Sequence, residues 1–372
     1  MTSFALYRLP REEKFTLLMQ TKGEVERVLS YNELNEKSGF VIAPFSVSDK
    51  TPLLLLHPNE SCVCHSFPEV NQKTIEEINE CAEKNRIDYI NNSSDTGERT
   101  RYGIDFRNFH SQLSQGLFKK IVLARQAEVV GETDNAFSMF CKACENYPRM
   151  YISLFSTPFS GTWLIATPET LLENDGDSWR TIALAGTMKL DGKMMSFDTP
   201  SMENSTLRSA DILWSEKNIQ EQRIVATYIM ECLEHFSENI QELGPKTTRA
   251  GNLIHLRSDF VFSLDKNAIL GDLIATLHPT PAVCGLPKND TKEFIIHNEF
   301  APRSYYSGFS GPLLSESGTH LFVSLRCLQM VKGKFLLYAG GGLLPDSIEQ
   351  QEWEETEAKL ETIRRIITEG NV

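Results

Sequence analysis

Leu336-Leu-Tyr-Ala-Gly-Gly-Gly-Leu-Leu-Pro-Asp-Ser-Ile-Glu-Gln-Gln-Glu-Trp-Glu-Glu-Thr-Glu-Ala-Lys-Leu360, near the end of a 372-residue chain, predicts a strand, a glycine turn and a helix. Leu336, Leu337 and Tyr338 favour β structure, and Gly340, Gly341 and Gly342 would let backbone N–H groups approach an anion with no Cβ in the way. Pro345 should end the turn, and Asp346 with Glu349 three residues on has the form of a capping box. On the predicted helix Glu352, Glu355 and Lys359 stand at i, i+3 and i+7, so they share one face. A charged face beside a glycine cradle suits a hard cation and a carboxylate-bearing ligand. A solvated helix face with a Glu355–Lys359 pair one turn apart explains the same residues equally well.

Lys and Arg number 37 against 50 Asp and Glu, a net charge of −13, which argues against a broad nucleic-acid or anionic-membrane surface. A chain this acidic needs local cations to take an anionic substrate. Apolar content of 41% and charged content of 23% are those of a folded globular protein. The start, Met1-Thr-Ser-Phe-Ala-Leu-Tyr-Arg8, has no basic segment followed by an apolar run, and no stretch approaches a membrane span. A cytoplasmic protein with no nucleic-acid or membrane partner is expected. Cys62-Val-Cys64-His65 and Cys141-Lys-Ala-Cys144 invite a zinc reading, but neither has a second pair at finger-like spacing, so ordinary thiols are expected.

Outward from the C-terminal stretch the chain alternates short apolar runs with helical blocks. Residues 1–68 predict β structure, with Phe4-Ala-Leu-Tyr7, Gly39-Phe-Val-Ile-Ala43 and Pro52-Leu-Leu-Leu-Leu-His57 as strands, and Val70–Tyr89 predicts a helix. Asn91–Thr100 is polar and is the best candidate boundary, dividing an N-terminal β-rich part, 1–100, that completes the same fold from a catalytic region, 101–372. Beyond it, helices are expected over Asp105–Leu117, Ala136–Glu145 and Ser215–Phe236, the last with Ser215 as cap and Ile219, Val225, Tyr228, Ile229 and Cys232 buried. Strands are expected over Lys120–Arg125, Met150–Phe155, Thr162–Thr167, Thr181–Thr187 (stopped by Gly186), Leu253–Leu256 and Leu321–Arg326, with a rigid Pro-rich turn over Leu277–Lys288. Many strands in hairpin order, with helices in blocks, predict an α+β fold: large layered antiparallel sheets with helices packed outside.

Singly, the polar residues in these elements say little. Arg326 is the exception, since an arginine between Leu325 and Cys327 must find an anion or water. Taken in order, Lys120-Ile-Val-Leu-Ala-Arg125, Thr167-Pro-Glu169, Leu184-Ala-Gly-Thr187, Ser215-Glu-Lys217 with Glu221, Leu277-His-Pro-Thr-Pro-Ala-Val-Cys-Gly285, Leu325-Arg326, Tyr338-Ala-Gly-Gly-Gly342 and Glu352-Trp-Glu-Glu-Thr356 with Lys359 resemble the chorismate-utilising enzymes, and among them the isochorismate synthases. The resemblance covers roughly Phe106–Ile367.

What it implies is specific. In that reaction water adds at C2 of the chorismate ring, the double bonds shift, and the C4 hydroxyl leaves. Lys120 would activate the water; an ordinary lysine titrates near ~10.4, so a base near neutrality needs that value depressed toward ~7–8. Glu169 would protonate the departing oxygen and needs the opposite shift, which a dry cleft supplies. Glu221 and Glu355 would hold Mg2+, with Glu352 a further or water-mediated contact, and the ion would take the ring carboxylate. Lys359 and the backbone of Gly186 and Thr187 would hold that same carboxylate. Arg326, Tyr306 and Gly340 would hold the enolpyruvyl carboxylate, with Gly342 lining the pocket and His255 near the ring.

Three positions bear on the branch of the family. Lys120 stands where ammonia-using anthranilate synthases carry Gln, which favours water. Ala185 stands where aminodeoxychorismate synthases place a nucleophilic Lys. Ala282 stands where pyruvate-eliminating members tend to carry Thr. Isochorismate synthase is therefore expected, with no glutaminase subunit; the alternatives are a salicylate synthase and a non-catalytic chorismate-binding paralogue. The residues do not separate supply of menaquinone from supply of a siderophore. Departures from the family pattern are Ala183 for a usual Pro, Asn218 for a common acid one turn before Glu221, and Ala301–Tyr306, which lacks a usual Arg-Gly.

Overall fold

In a computed structural model the chain forms two nine-stranded antiparallel sheets packed face to face, with helices on both outer sides. The structure describes residues 1–88, 97–131, 135–174, 176, 178–190, 197, 212–316 and 318–368. One sheet runs, edge to edge, Gly285–Leu286, Lys120–Val130, Lys334–Leu343, Cys327–Val331, Gly161–Thr167, Tyr151–Thr157, Ser3–Arg8, Phe15–Gln20 and Glu60–Cys64. The other runs Ile240–Ala250, Leu253–Phe262, Trp179–Lys189, Thr170–Asn174, Thr319–Val323, Phe309–Leu313, Gly39–Ala43, Leu53–Leu56 and Glu26–Val28.

Each sheet buries both faces, which is why so many strands are continuous apolar runs. Phe40, Phe155, Trp163, Tyr305, Tyr306 and Tyr338 fill the space between the sheets. Each such aromatic contributes about 1.5–3 kcal/mol of burial on removal from water. Helices Gln72–Lys84, Ala136–Asn146 and Glu349–Thr368 cover the outer face of the first sheet, and Glu216–Leu233 and Leu270–Leu277 that of the second. Among the described residues no helix is long and apolar enough to cross a membrane.

Several local expectations change. The glycines do not turn: Lys334–Leu343 is a continuous strand that pairs with Lys120–Val130 through Gly340↔Ala124, Gly341↔Leu123 and Gly342↔Val122. Pairing along the partner strand keeps the segment extended, so no turn is forced. The reversal falls later, where the Ser347 hydroxyl accepts the Leu344 N–H at 3.0 Å, and the helix opens at Glu349 without the capping box on Asp346. Gly186 does not stop its strand either. With φ +70° it forms a bulge, after which pairing resumes at Thr187↔His255. The strand Thr319–Val323 ends before Arg326, which lies at φ +46° where the chain crosses from one sheet to the other.

Helix boundaries shift as well. The helix expected from Asp105 begins at Glu98, because its polar first turn is anchored by Arg99 on Glu349 and by Tyr102 against Trp353. Residues 91–96 of the expected boundary stretch lie outside the described residues. Ser215 caps Glu216–Leu233 by accepting the Asn218 N–H, but Ile219 is 47% exposed and Glu221 and Gln222 hold the buried positions instead. The Pro-rich stretch is flanked by two helices not anticipated from the sequence, Leu270–Leu277 and Lys288–Asn298.

Candidate active site

A cavity opens at one end of the sheet pair, lined by Glu169, Gly186, Thr187, Glu221, His255, Tyr306, Arg326, Gly340, Gly342 and Lys359. These come from both sheets, from both long helices and from the crossings between sheets. Glu169 follows the strand Gly161–Thr167 and precedes Thr170–Asn174, so it sits where the chain passes from the first sheet to the second. Arg326 sits where it passes back. The two crossings are adjacent: the Val323 N–H donates to Glu169 O at 3.0 Å, and the Ala166 N–H to Arg326 O at 3.2 Å.

Lys120 begins the strand beside the glycines and is fully buried just behind the cavity wall. Its Nζ donates to Pro281 O at 2.8 Å and lies 3.1 Å from Glu221 Oε1. The empty Cβ position of Gly342 makes this meeting feasible, since a methyl there would lie 2.0 Å from Glu221 Oε1 and 2.8 Å from Lys120 Cε. Burial works against the Glu221 carboxylate, but Lys120, Lys217 and Lys359 outweigh it and hold its pKa below the ordinary value.

Glu352 and Glu355 approach Gly341 on the other face of the same strand, within 3.3 and 3.7 Å of where its Cβ would be. Neither lines the cavity. Glu355 is held by Lys359 at 2.7 Å, and Glu352, 1% exposed, is paired with Lys217. Among the described residues no three His, Cys, Asp or Glu side chains stand close enough to form a finished metal centre. The donor set nevertheless fits a small hard cation, because it is all carboxylate and because the buried Oε2 of Glu352 has no hydrogen-bond partner in the protein.

On the far side of the cavity burial pushes the Glu169 carboxyl up to about 8, against the opposing pull of Lys120, Lys359 and Arg326. Arg326 is buried and takes part in no ion pair among the described residues. Its Nη1 donates to Ala250 O at 3.1 Å and its Nη2 to His255 Nε2 at 2.5 Å. His255 is kept neutral by burial and by that guanidinium, and its Nδ1 lies 3.2 Å from Gly186 O and 3.3 Å from Thr187 Oγ1. The bulge at Gly186 thus places Thr187 opposite the histidine that contacts the arginine. Lys359 Nζ donates to Gly340 O at 2.8 Å, and Tyr306 Oη fills the space a side chain at 340 would need.

A family model described as chorismate binding enzyme matches residues 51–368. The chain belongs to the chorismate-binding enzyme family. Within that family it is 28% identical over 259 residues to the isochorismate synthase MenF of Escherichia coli, covering 68% of this chain and 57% of the relative. It is 31% identical over 277 residues to the salicylate biosynthesis isochorismate synthase of Pseudomonas aeruginosa, covering 73% of this chain and 55% of the relative. The chain therefore spans little more than half the length of these relatives. The solved structure of the menaquinone-specific isochorismate synthase MenF from Escherichia coli superposes with a TM-score of 0.74 at 22% identity, over 98% of this chain and 89% of that one, which fixes the fold as that of the family.

Two positions at which family branches were distinguished from sequence, Ala185 and Ala282, both line the cavity of this family member. Val122 and Leu184, on strands, and Pro168 and Leu325, at the crossings between sheets, line it too and were not foreseen, since an apolar residue carries no mark of the space it faces. Lys217 entered only as part of the Ser215-Glu-Lys217 motif with Glu221; its link to Glu352 joins two helices far apart in sequence and leaves no local signal.

Proposed function

We propose that the chain is an isochorismate synthase that converts chorismate to isochorismate in the cytoplasm with Mg2+. One observation carries this reading: a single cavity has a buried lysine–carboxylate pair behind one wall and, on the other, a carboxyl raised to about 8. That is the separation of base and acid that a reaction adding water at one carbon and expelling hydroxide at another requires. The relatives named isochorismate synthase support it.

In this reading Lys120 takes a proton from the water that attacks C2, and Glu169 gives one to the C4 oxygen as it leaves, so protons balance and the product is an isomer. Arg326, which takes part in no ion pair among the described residues, offers its guanidinium to the enolpyruvyl carboxylate, with Tyr306 and Gly340 beside it. Thr187, Gly186 and Lys359 receive the ring carboxylate. Glu221 and Glu355 would hold Mg2+, with Glu352 a further contact, and the bound ion would supply positive charge that draws electron density from the ring. The methyl-sized side chains of Ala185 and Ala282 favour water addition without a covalent amine and without pyruvate loss. No glutaminase subunit is called for, since water is the nucleophile.

The test is mass-spectrometric identification of the product from purified protein, chorismate and MgCl2. Isochorismate is expected. Stoichiometric pyruvate would assign a salicylate synthase, and calorimetric binding of chorismate with no consumption would assign a non-catalytic paralogue.

A further inference from the structure

Each of the three candidate metal-binding carboxylates has its own lysine: Glu221 with Lys120, Glu355 with Lys359 and Glu352 with Lys217. Lys120 abuts the cavity wall and Lys359 lines it, and both have roles toward substrate in the reading above. Lys217 does not line the cavity, and the charges it faces are those of Glu352, Glu221 and Glu355. It stands one turn before Glu221 on the helix that covers the second sheet, and its partner is on the helix that covers the first. The Lys217–Glu352 pair is therefore a tie across the mouth of the sheet pair. Glu352 is almost wholly buried, Lys217 engages its Oε1, and its Oε2 faces Gly341 without a partner.

We infer that Lys217 is a positioning residue that competes with a divalent cation for Glu352, so that loading the cation exchanges one tie between the two helices for another. Two buried positive charges cannot share one carboxylate corner cheaply. Where Glu221 and Glu355 would hold Mg2+ with Glu352 a further contact, the Lys217 ammonium would have to release Glu352 and move outward. The lysine keeps the acids neutralised and oriented until then, and it sets how much Mg2+ the site demands. This inference rests on the proposed function for its cation, though not for its geometry.

Calorimetric titration of the full chain with MgCl2 alone, without chorismate, tests it. Lys217→Gln keeps a hydrogen-bond donor for Glu352 and removes the charge; it should bind Mg2+ at least tenfold more tightly than the unaltered protein. Lys217→Arg should bind as the unaltered protein does. In a Glu352→Gln background, where the lysine has no carboxylate to hold, Lys217→Gln should shift the affinity less than twofold. Unchanged or weaker Mg2+ binding by Lys217→Gln, with an intact thermal melt, would overturn the inference. If Lys217→Gln proves unfolded, Lys217→Met with Glu352→Gln against Glu352→Gln alone answers the same question, and a tenfold difference there would refute it. Should the unaltered protein turn over chorismate with Mg2+ while these affinities fail to move, only the lysine's role falls. If it binds no Mg2+ and consumes no chorismate, both readings fall together.

Discussion

Lys120 and Glu221 meet at 3.1 Å although one begins a strand of the first sheet and the other sits on the helix covering the second. A glycine at 342 makes room for both. The pair is thus a product of sheet packing, strand register and one missing side chain.

Gly342→Ala should disrupt this meeting directly, since its methyl would lie 2.0 Å from Glu221 Oε1. Displacing reacting groups by an ångström costs about 100-fold in rate. We expect a loss of at least that size in kcat/KM with chorismate, with the protein still folded by circular dichroism. Near-normal kinetics would show that the pair can shift without consequence.

Lys120→Ala should remove the base while chorismate and Mg2+ binding stay measurable by calorimetry. Loss of a general base lowers kcat by about 10²–10⁴. A rate within threefold of the unaltered enzyme would point to another base.

The pH profile should show an alkaline limb. Glu169 is raised from an ordinary 4.5 to about 8 by burial, so its proton is available below about 8 and lost above it. kcat/KM should fall as pH rises through that value. The same shift affects stability: the folded state keeps a proton that the unfolded chain releases, so the Glu169 contribution is full below about 4.5 and declines as pH rises through about 8. Glu169→Gln should flatten the fall in melting temperature between pH 6 and 9. A kcat/KM that stays level to pH 9.5 would take the proton-donor role from Glu169.

Arg326→Lys should raise KM for chorismate about 10- to 100-fold, the equivalent of about 1.5–3 kcal/mol for a charged hydrogen bond. A lysine cannot present the planar fork to a carboxylate, nor span Ala250 O and His255 Nε2 together. A smaller effect on kcat than on KM would place Arg326 in binding; an unchanged KM would remove it from the substrate site.

Glu355→Ala should abolish activity together with its dependence on MgCl2, and it leaves Lys359 without its carboxylate. Activity that rises with MgCl2 as before would contradict the assignment of Glu355 as a ligand.

Much of this was present in the residues. The strand expected over Lys120–Arg125 has period two, which sets Lys120 and Val122 on one face and Ile121 and Leu123 on the other, and the latter two pack with Phe106 and Phe109. Ser215 was legible as a cap because its hydroxyl acts within three residues. The glycines misled. Glycine in isolation suggests a turn, but Gly340 and Gly342 are extended residues kept bare so that Tyr306 and Glu221 can approach. Gly186 suggested a stop and is a bulge, because an adjacent strand was present to resume pairing.

The sequence alone determined the elements whose cause is local: periodic apolar faces, the helix cap, the antiparallel character of the sheets and the motifs that mark the family. Only the tertiary structure decided which of the charged residues meet. The two crossings that carry Glu169 and Arg326 are adjacent because the sheets pack face to face, and Lys217 meets Glu352 because helices on opposite outer faces converge at one end. Burial, which alone pushes Glu169 up to about 8, is likewise a property of the assembled layers, since desolvation depends on every neighbour and not on those next in sequence.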